Sequence, residues 1–104
     1  TQLNWSYPLD KIHSKIRGLS SHPGAWTNFI GKEGKMIVKI YSASVKLSKN
    51  HSNSENLLVL KDEIIITHKD GVLICHEIQI PNKKRMKSKD ILNGNHLKSF
   101  FRVK

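Results

Sequence analysis

The sequence predicts a mainly β fold: a small Greek-key barrel with an N-terminal helix and a short C-terminal helix. Three observations carry this expectation. The chain has 104 residues, the length of one domain with a modest core. Only its N-terminal part shows a clear helical stripe. The remainder consists of short runs rich in Ile, Val and Tyr, separated by turn signals, a pattern that at this length favours a barrel over a sandwich.

Thr1 to Ser6 reads as an extended lead-in, with Ser6 as a helix cap and Pro8 in the first turn, where a missing N–H is harmless. Leu9, Ile12, Ile16 and Leu19 recur at spacings of three and four, one apolar helical stripe. Gly18 and the cluster Ser20-Ser21-His22-Pro23-Gly24 end that helix. A short strand follows over Ala25 to Ile30, then a turn over Gly31-Lys32-Glu33-Gly34. Lys35 to Leu47 is a long strand whose alternation changes phase. Val38 and Ile40 share one face, and Tyr41, Ala43, Val45 and Leu47 share the other. A strand that changes its buried face is bent, as strands shared between the halves of a small barrel are.

Ser48 to Asn56 has no apolar residue and reads as a loop. Leu57 to Leu60 is a short strand. Glu63 to Lys69 and Val72 to Ile80 flank Asp70-Gly71, a hairpin turn signal. Pro81 stops the sheet, and Lys83 to Lys89 is a basic run. A last short helix begins at Ser88 or Asp90, with Gly94 as its stop, and Phe100, Phe101 and Val103 are placed to dock the tail. An OB-fold-like barrel, of the oligonucleotide-binding type, fits this order; an SH3-like barrel fits the bare pattern too.

Eighteen Lys and Arg against eight Asp and Glu give a formal charge of +10, which points to a polyanionic partner. The excess is uneven. Residues 1–50 carry eight basic and two acidic side chains, residues 51–80 carry two and five, and residues 81–104 carry eight and one. If folding brings the two ends together, they form one positive face. Composition alone does not separate RNA, DNA and an anionic membrane. The amphipathic helix, however, has a short stripe and no aromatic residue beyond Tyr7, which argues against a membrane role.

Cys75 is the single cysteine, so no intramolecular disulfide forms, and its apolar neighbours suggest an inert buried thiol. No stretch has the length of a membrane span and no signal-peptide pattern opens the chain, so a cytoplasmic location is the default expectation. The opening Thr1, in place of Met, leads us to expect a preceding segment. Six histidines raise the question of a metal, but the sequence has no C-x-x-C or H-x-x-x-H spacing, and no metal is expected. If Lys69 pairs with Val72, His68 and Cys75 share one face and His76 points away.

Five blocks carry a family resemblance. The first runs from Ile12 to Thr27 and contains Ile16-Arg17-Gly18-Leu19 and Pro23-Gly24-Ala25-Trp26-Thr27. Then come Val38-Lys39-Ile40-Tyr41-Ser42-Ala43, Asp70-Gly71, and Glu77-Ile78-Gln79-Ile80-Pro81-Asn82-Lys83-Lys84-Arg85-Met86. Asp90-Ile91-Leu92-Asn93-Gly94 closes the series. In this order and at these spacings the chain resembles the C-terminal domain of methionyl-tRNA formyltransferases over nearly its whole length. It departs from the family pattern at Asn82, where a Gly is usual, and at Ile91, where Phe is usual. A Pro-Gly pair is missing near Ser54-Glu55.

The resemblance implies a single C-terminal domain over residues 1–104, with residues 1–7 leading in from a separate N-terminal catalytic domain. That domain would hold the catalytic residues and the 10-formyltetrahydrofolate used to formylate methionyl-tRNA. No catalytic residue and no cofactor site is expected in this segment, whose role would be to grip tRNA through a basic surface. A sugar N-formyltransferase domain and a free-standing RNA-binding barrel are the alternatives, and the +10 charge speaks against the former.

Phosphate contacts require exposed cations. Lys83, Lys84, Arg85 and Lys87 form the densest group, and Arg85 is able to bind a phosphate bidentately. Lys32 and Lys35 at a turn, and Lys39 and Lys46 on the long strand, complete the expected set. Arg17, Pro23, Gly24 and Trp26 are expected to act structurally, Arg17 by fixing the helix to the barrel or to the other domain. Trp26 and Tyr41 have the rings to stack bases, but packing suits both better.

Overall fold

A computed structural model of the chain describes residues 1–19, 24–48, 55–94 and 97–104. Helix α1 (Leu9–Gly18) precedes strands β1 (Ala25–Gly31), β2 (Gly34–Leu47), β3 (Leu57–Val59), β4 (Ile64–His68), β5 (Gly71–Gln79) and β6 (Met86–Lys87). Helix α2 (Ser88–Gly94) and strand β7 (Phe100–Val103) follow. The strands lie in the order β3-β4-β5-β2-β1-β7, with β6 on β5. An Asn56–Arg102 bridge and a 2.9 Å bond from the Val103 N–H to the Glu55 carbonyl join the first and last of these. The antiparallel sheet therefore nearly closes into the expected barrel around Phe29, Val38, Ile40, Ile64, Ile66, Leu73 and Ile78.

Helix α1 lays Leu9, Ile12 and Ile16 into this core. Its cap differs from the expectation. The Ser6 hydroxyl donates to Asn4 Oδ1 at 2.6 Å, and the Leu9 N–H donates to Asp70 Oδ2 at 3.1 Å. A carboxylate on the β4–β5 hairpin, 61 residues along the chain, thus meets the positive end of the helix dipole. Beside it His68 is fully buried, with Nδ1 accepting the Asp70 N–H at 2.9 Å and Nε2 donating to the Tyr7 carbonyl at 2.8 Å. His68 Nδ1 also lies 3.7 Å from Asp70 Oδ2, a charge pair only if that nitrogen carries a proton. It already accepts a hydrogen bond, so we assign a neutral ring with its proton on Nε2.

The extended lead-in also belongs to the core. Leu3 and Trp5 are buried, and Trp5 Nε1 donates to Thr27 Oγ1 at 2.9 Å. The Leu3 N–H and the Trp26 carbonyl are 2.8 Å apart, so residues 1–3 run along β1. The tail is also more than a docked end. Residues Phe100–Val103 form a strand on β1, with Phe29 opposite Val103. Four residues are too few for periodicity to reveal a strand, and its pairing partner is some seventy residues away.

Strand β2 changes its buried face as the sequence indicates. Val38 and Ile40 point into the core, then Ala43 and Val45 do. Pairing with β5 runs Ile40↔Ile78, Ser42↔Glu77, Ala43↔Cys75, so each strand carries an extra residue. The two irregularities let both strands switch faces together, and β5 buries Leu73 and Cys75 before the switch and Ile78 after it. Leu47 does not follow the inward pattern; it is 70% exposed at the strand end. At the switch the Ser88 hydroxyl donates to the Cys75 carbonyl at 2.7 Å and pins the start of α2.

The hairpin register also differs from the expected pairing. His68 pairs with Gly71, leaving Lys69 and Asp70 as the turn. The shift is even, so His68 and Cys75 still face inward and His76 outward. Gly71 has φ +149°, and a Cβ there would collide with the Lys46 carbonyl. We predict that Gly71→Ala destabilises the domain by about 3 kcal/mol or more, because strain and steric overlap add. Urea denaturation of the variant against the parent checks this.

Candidate nucleic-acid interface

The outer face of the barrel beside the bend brings several expected residues together. Trp26, Lys39 and Gln79 form one cross-strand row over β1, β2 and β5. All three are half-buried on the face opposite the core. Lys35 and Ile37 continue this face along β2 and are exposed. Tyr41 lies at the bend, where its hydroxyl donates to Gln79 Oε1 at 2.8 Å. Gln79 Nε2 donates in turn to the Lys83 carbonyl at 2.8 Å. One glutamine amide therefore ties the long strand to the basic 81–85 segment.

Arg85 completes the cluster in a way that charge alone did not indicate. Its guanidinium carbon sits 4.5 Å from the centroid of the Tyr41 ring, and Nε and Nη2 donate to Glu77 Oε2 at 3.1 and 2.6 Å. A pair this exposed adds only about 0–1 kcal/mol of stability. Its consequence is geometric, since it holds the guanidinium over the aromatic ring. Asn82 has φ +65°, which accommodates its place at the family's usual Gly.

Gly24 is favoured by its backbone, since the space beside Tyr41 and Lys39 would admit a Cβ at ordinary contact distance. It has φ +91°, and a Cβ there would meet Tyr41 Cε1 at 3.4 Å and Lys39 Cδ at 3.6 Å. Pro23 lies outside the described residues.

Other expected residues sit elsewhere. Lys46 pairs with Val72 near the hairpin; seven residues at ~3.3 Å each put it about 23 Å along β2 from Lys39. Lys32 is at the β1–β2 turn beside Glu33. Lys87 pairs with Glu77 and, with Lys89, borders a groove that also holds Asp62, Glu63 and His76. Arg17 does not fix the helix to the barrel; it is exposed and donates to Ser14 Oγ at 3.2 Å within the helix. The basic side chains therefore fall into separate groups: Lys39 adjoins Trp26 across the sheet, Arg85 lies over Tyr41, and Gln79 ties the Lys83 backbone to them.

The model of the formyl transferase C-terminal domain family matches residues 1–96. The chain belongs to this family. It is 32% identical to the methionyl-tRNA formyltransferase of Bacteroides fragilis over 105 residues, covering 99% of this chain and 32% of that protein. It is 37% identical to the methionyl-tRNA formyltransferase of Flavobacterium johnsoniae over 94 residues, covering 89% and 30%. Against that of Chlamydia muridarum it is 34% identical over 94 residues, covering 88% and 30%. The chain spans about a third of the length of these curated relatives. The matched span holds every element of the interface described above.

Cys75 is buried on β5 opposite Ala43, and burial pushes its thiol up to about 12 from 9.0. As pH rises from 9 toward 12, the unfolded chain loses this proton while the folded chain keeps it, so the thiol's contribution to stability falls across that window. We predict that Cys75→Ala removes about 1 kcal/mol of the stability loss between pH 8 and pH 10. Urea melts of both proteins at the two pH values measure it.

Proposed function

We propose that this domain grips tRNA for a methionyl-tRNA formyltransferase, with the catalytic part of that enzyme in the remaining two-thirds of a longer polypeptide. The observation that carries this reading is the outer face of β2. There Lys39 stands between Trp26 on β1 and Gln79 on β5, Gln79 holds the Lys83 backbone, and Arg85 lies over the Tyr41 ring. Cations that track phosphates, with flat rings among them, match what an RNA strand presents. The formal charge of +10 gives the long-range attraction.

In this reading the lysines neutralise phosphates, and Arg85, committed to Glu77, holds the loop that carries Lys83 and Lys84. The parent enzyme would move a formyl group from 10-formyltetrahydrofolate to the amino group of methionyl-tRNA in the cytoplasm. The segment itself would add binding energy and no catalytic group. The relatives named above are all methionyl-tRNA formyltransferases, so the sugar N-formyltransferase alternative gains no support from them.

The test is the salt dependence of tRNA binding by the chain. Lys83→Ala with Lys84→Ala should flatten the slope of log K against log salt by roughly 0.7–0.9 for each lysine that meets a phosphate. Thermal melts should stay unchanged, because both side chains are exposed. An unaltered slope with a folded variant would refute the phosphate role of these lysines.

A further inference from the structure

A shallow groove of about 330 Å³ lies on the same face, between β2 and the turn that follows β5. Ile37, Ile80 and Pro81 give it an apolar surface, and Lys39, Gln79 and Asn82 complete the lining. Ile37 is 53% exposed although it is β-branched and lies within the sheet. It stands between Lys35 and Lys39, which flank it on the same side of the strand. The turn is held in place, because the Lys83 N–H donates to the Ile80 carbonyl at 3.2 Å and Gln79 holds the Lys83 carbonyl. Both polar ends of the Gln79 amide have partners, Tyr41 on one side and Lys83 on the other.

We propose that this groove takes one unpaired nucleobase of an RNA strand, with the adjoining phosphates on Lys39 and Lys35. The inference rests on the RNA-gripping role proposed above and adds a binding position to it. Charge complementarity selects the occupant: an apolar slot rimmed by lysines suits a flat, uncharged ring on a polyanionic backbone better than it suits an apolar protein segment. Base identity is not read. Apolar contact with Ile37, Ile80 and Pro81 does not distinguish one base from another, and of the two amides lining the slot Gln79 already has a partner at each end. Recognition is therefore of an unpaired base against none, not of one base against another.

The test compares a single-stranded RNA pentamer with an abasic pentamer of the same charge, at one salt concentration, on the parent chain and on Ile37→Thr. Threonine keeps β-branching, so the strand is retained while apolar contact is reduced. The parent chain should bind the normal pentamer about fivefold or more tightly than the abasic one, the gain from burying part of a base against aliphatic carbon. Ile37→Thr should lose most of that preference and keep its affinity for the abasic strand. Equal affinities for the two strands on the parent chain overturn the inference, and so would a preference that survives Ile37→Thr. A groove that seats a protein segment or a second copy of this chain would also give equal affinities. If both strands bind with steep salt dependence but no preference, the slot fails and the phosphate grip stands. If neither strand binds, the RNA reading fails as well.

Discussion

The paired irregularity at Ser42 of β2 and His76–Glu77 of β5 is the constraint on which the architecture depends. A fourteen-residue strand is too long to keep one face buried in a barrel this small. With one extra residue in each strand, β2 buries Val38 and Ile40 in one half and packs Ala43 and Val45 against the core in the other. The same switch turns Tyr41 toward Gln79 on the outside. It also places the Cys75 carbonyl where Ser88 takes it up, which sets the start of α2. The bend that closes the core thus also builds the outer face.

Electrostatics and packing divide the work on that face. Arg85 is the cation whose fork best suits a phosphate, yet it is held by Glu77 and lies on Tyr41. Removing it would leave the Glu77 carboxylate without that partner among neighbouring lysines, so its loss changes the field by more than one contact. Gln79 has a comparable part without any charge, as it joins Tyr41 to the Lys83 backbone.

What the sequence made legible follows from which signals are local. The stripe Leu9, Ile12, Ile16 and the phase change along β2 are written in neighbouring residues, and both appear in the fold. The family blocks also read directly, because each is a short string with fixed spacing. The pairing of Arg85 with Glu77 links residues eight apart across a turn, and Asp70 reaches Leu9 over 61 residues. Neither follows from periodicity, since a charge in a sequence carries no direction. For the same reason the sequence puts Lys46 with Lys39: they share a strand, but strand length separates them. The burial of Trp5 is equally hidden, because a lone aromatic in a lead-in has no period to place it.

Strand β7 has a consequence for how the chain acquires its structure. Residues 1–3 and β7 both lie along β1, so the outer edge of β1 is satisfied only when Phe100–Val103 have arrived. During synthesis from the N-terminus this edge waits, with its amides open, for nearly the whole length described here. An open edge is a template for pairing with a foreign strand, and contacts between distant residues form slowly. Nascent chains should therefore be most exposed to aggregation just before their last strand emerges, and brief shielding at that stage would raise the yield of folded protein.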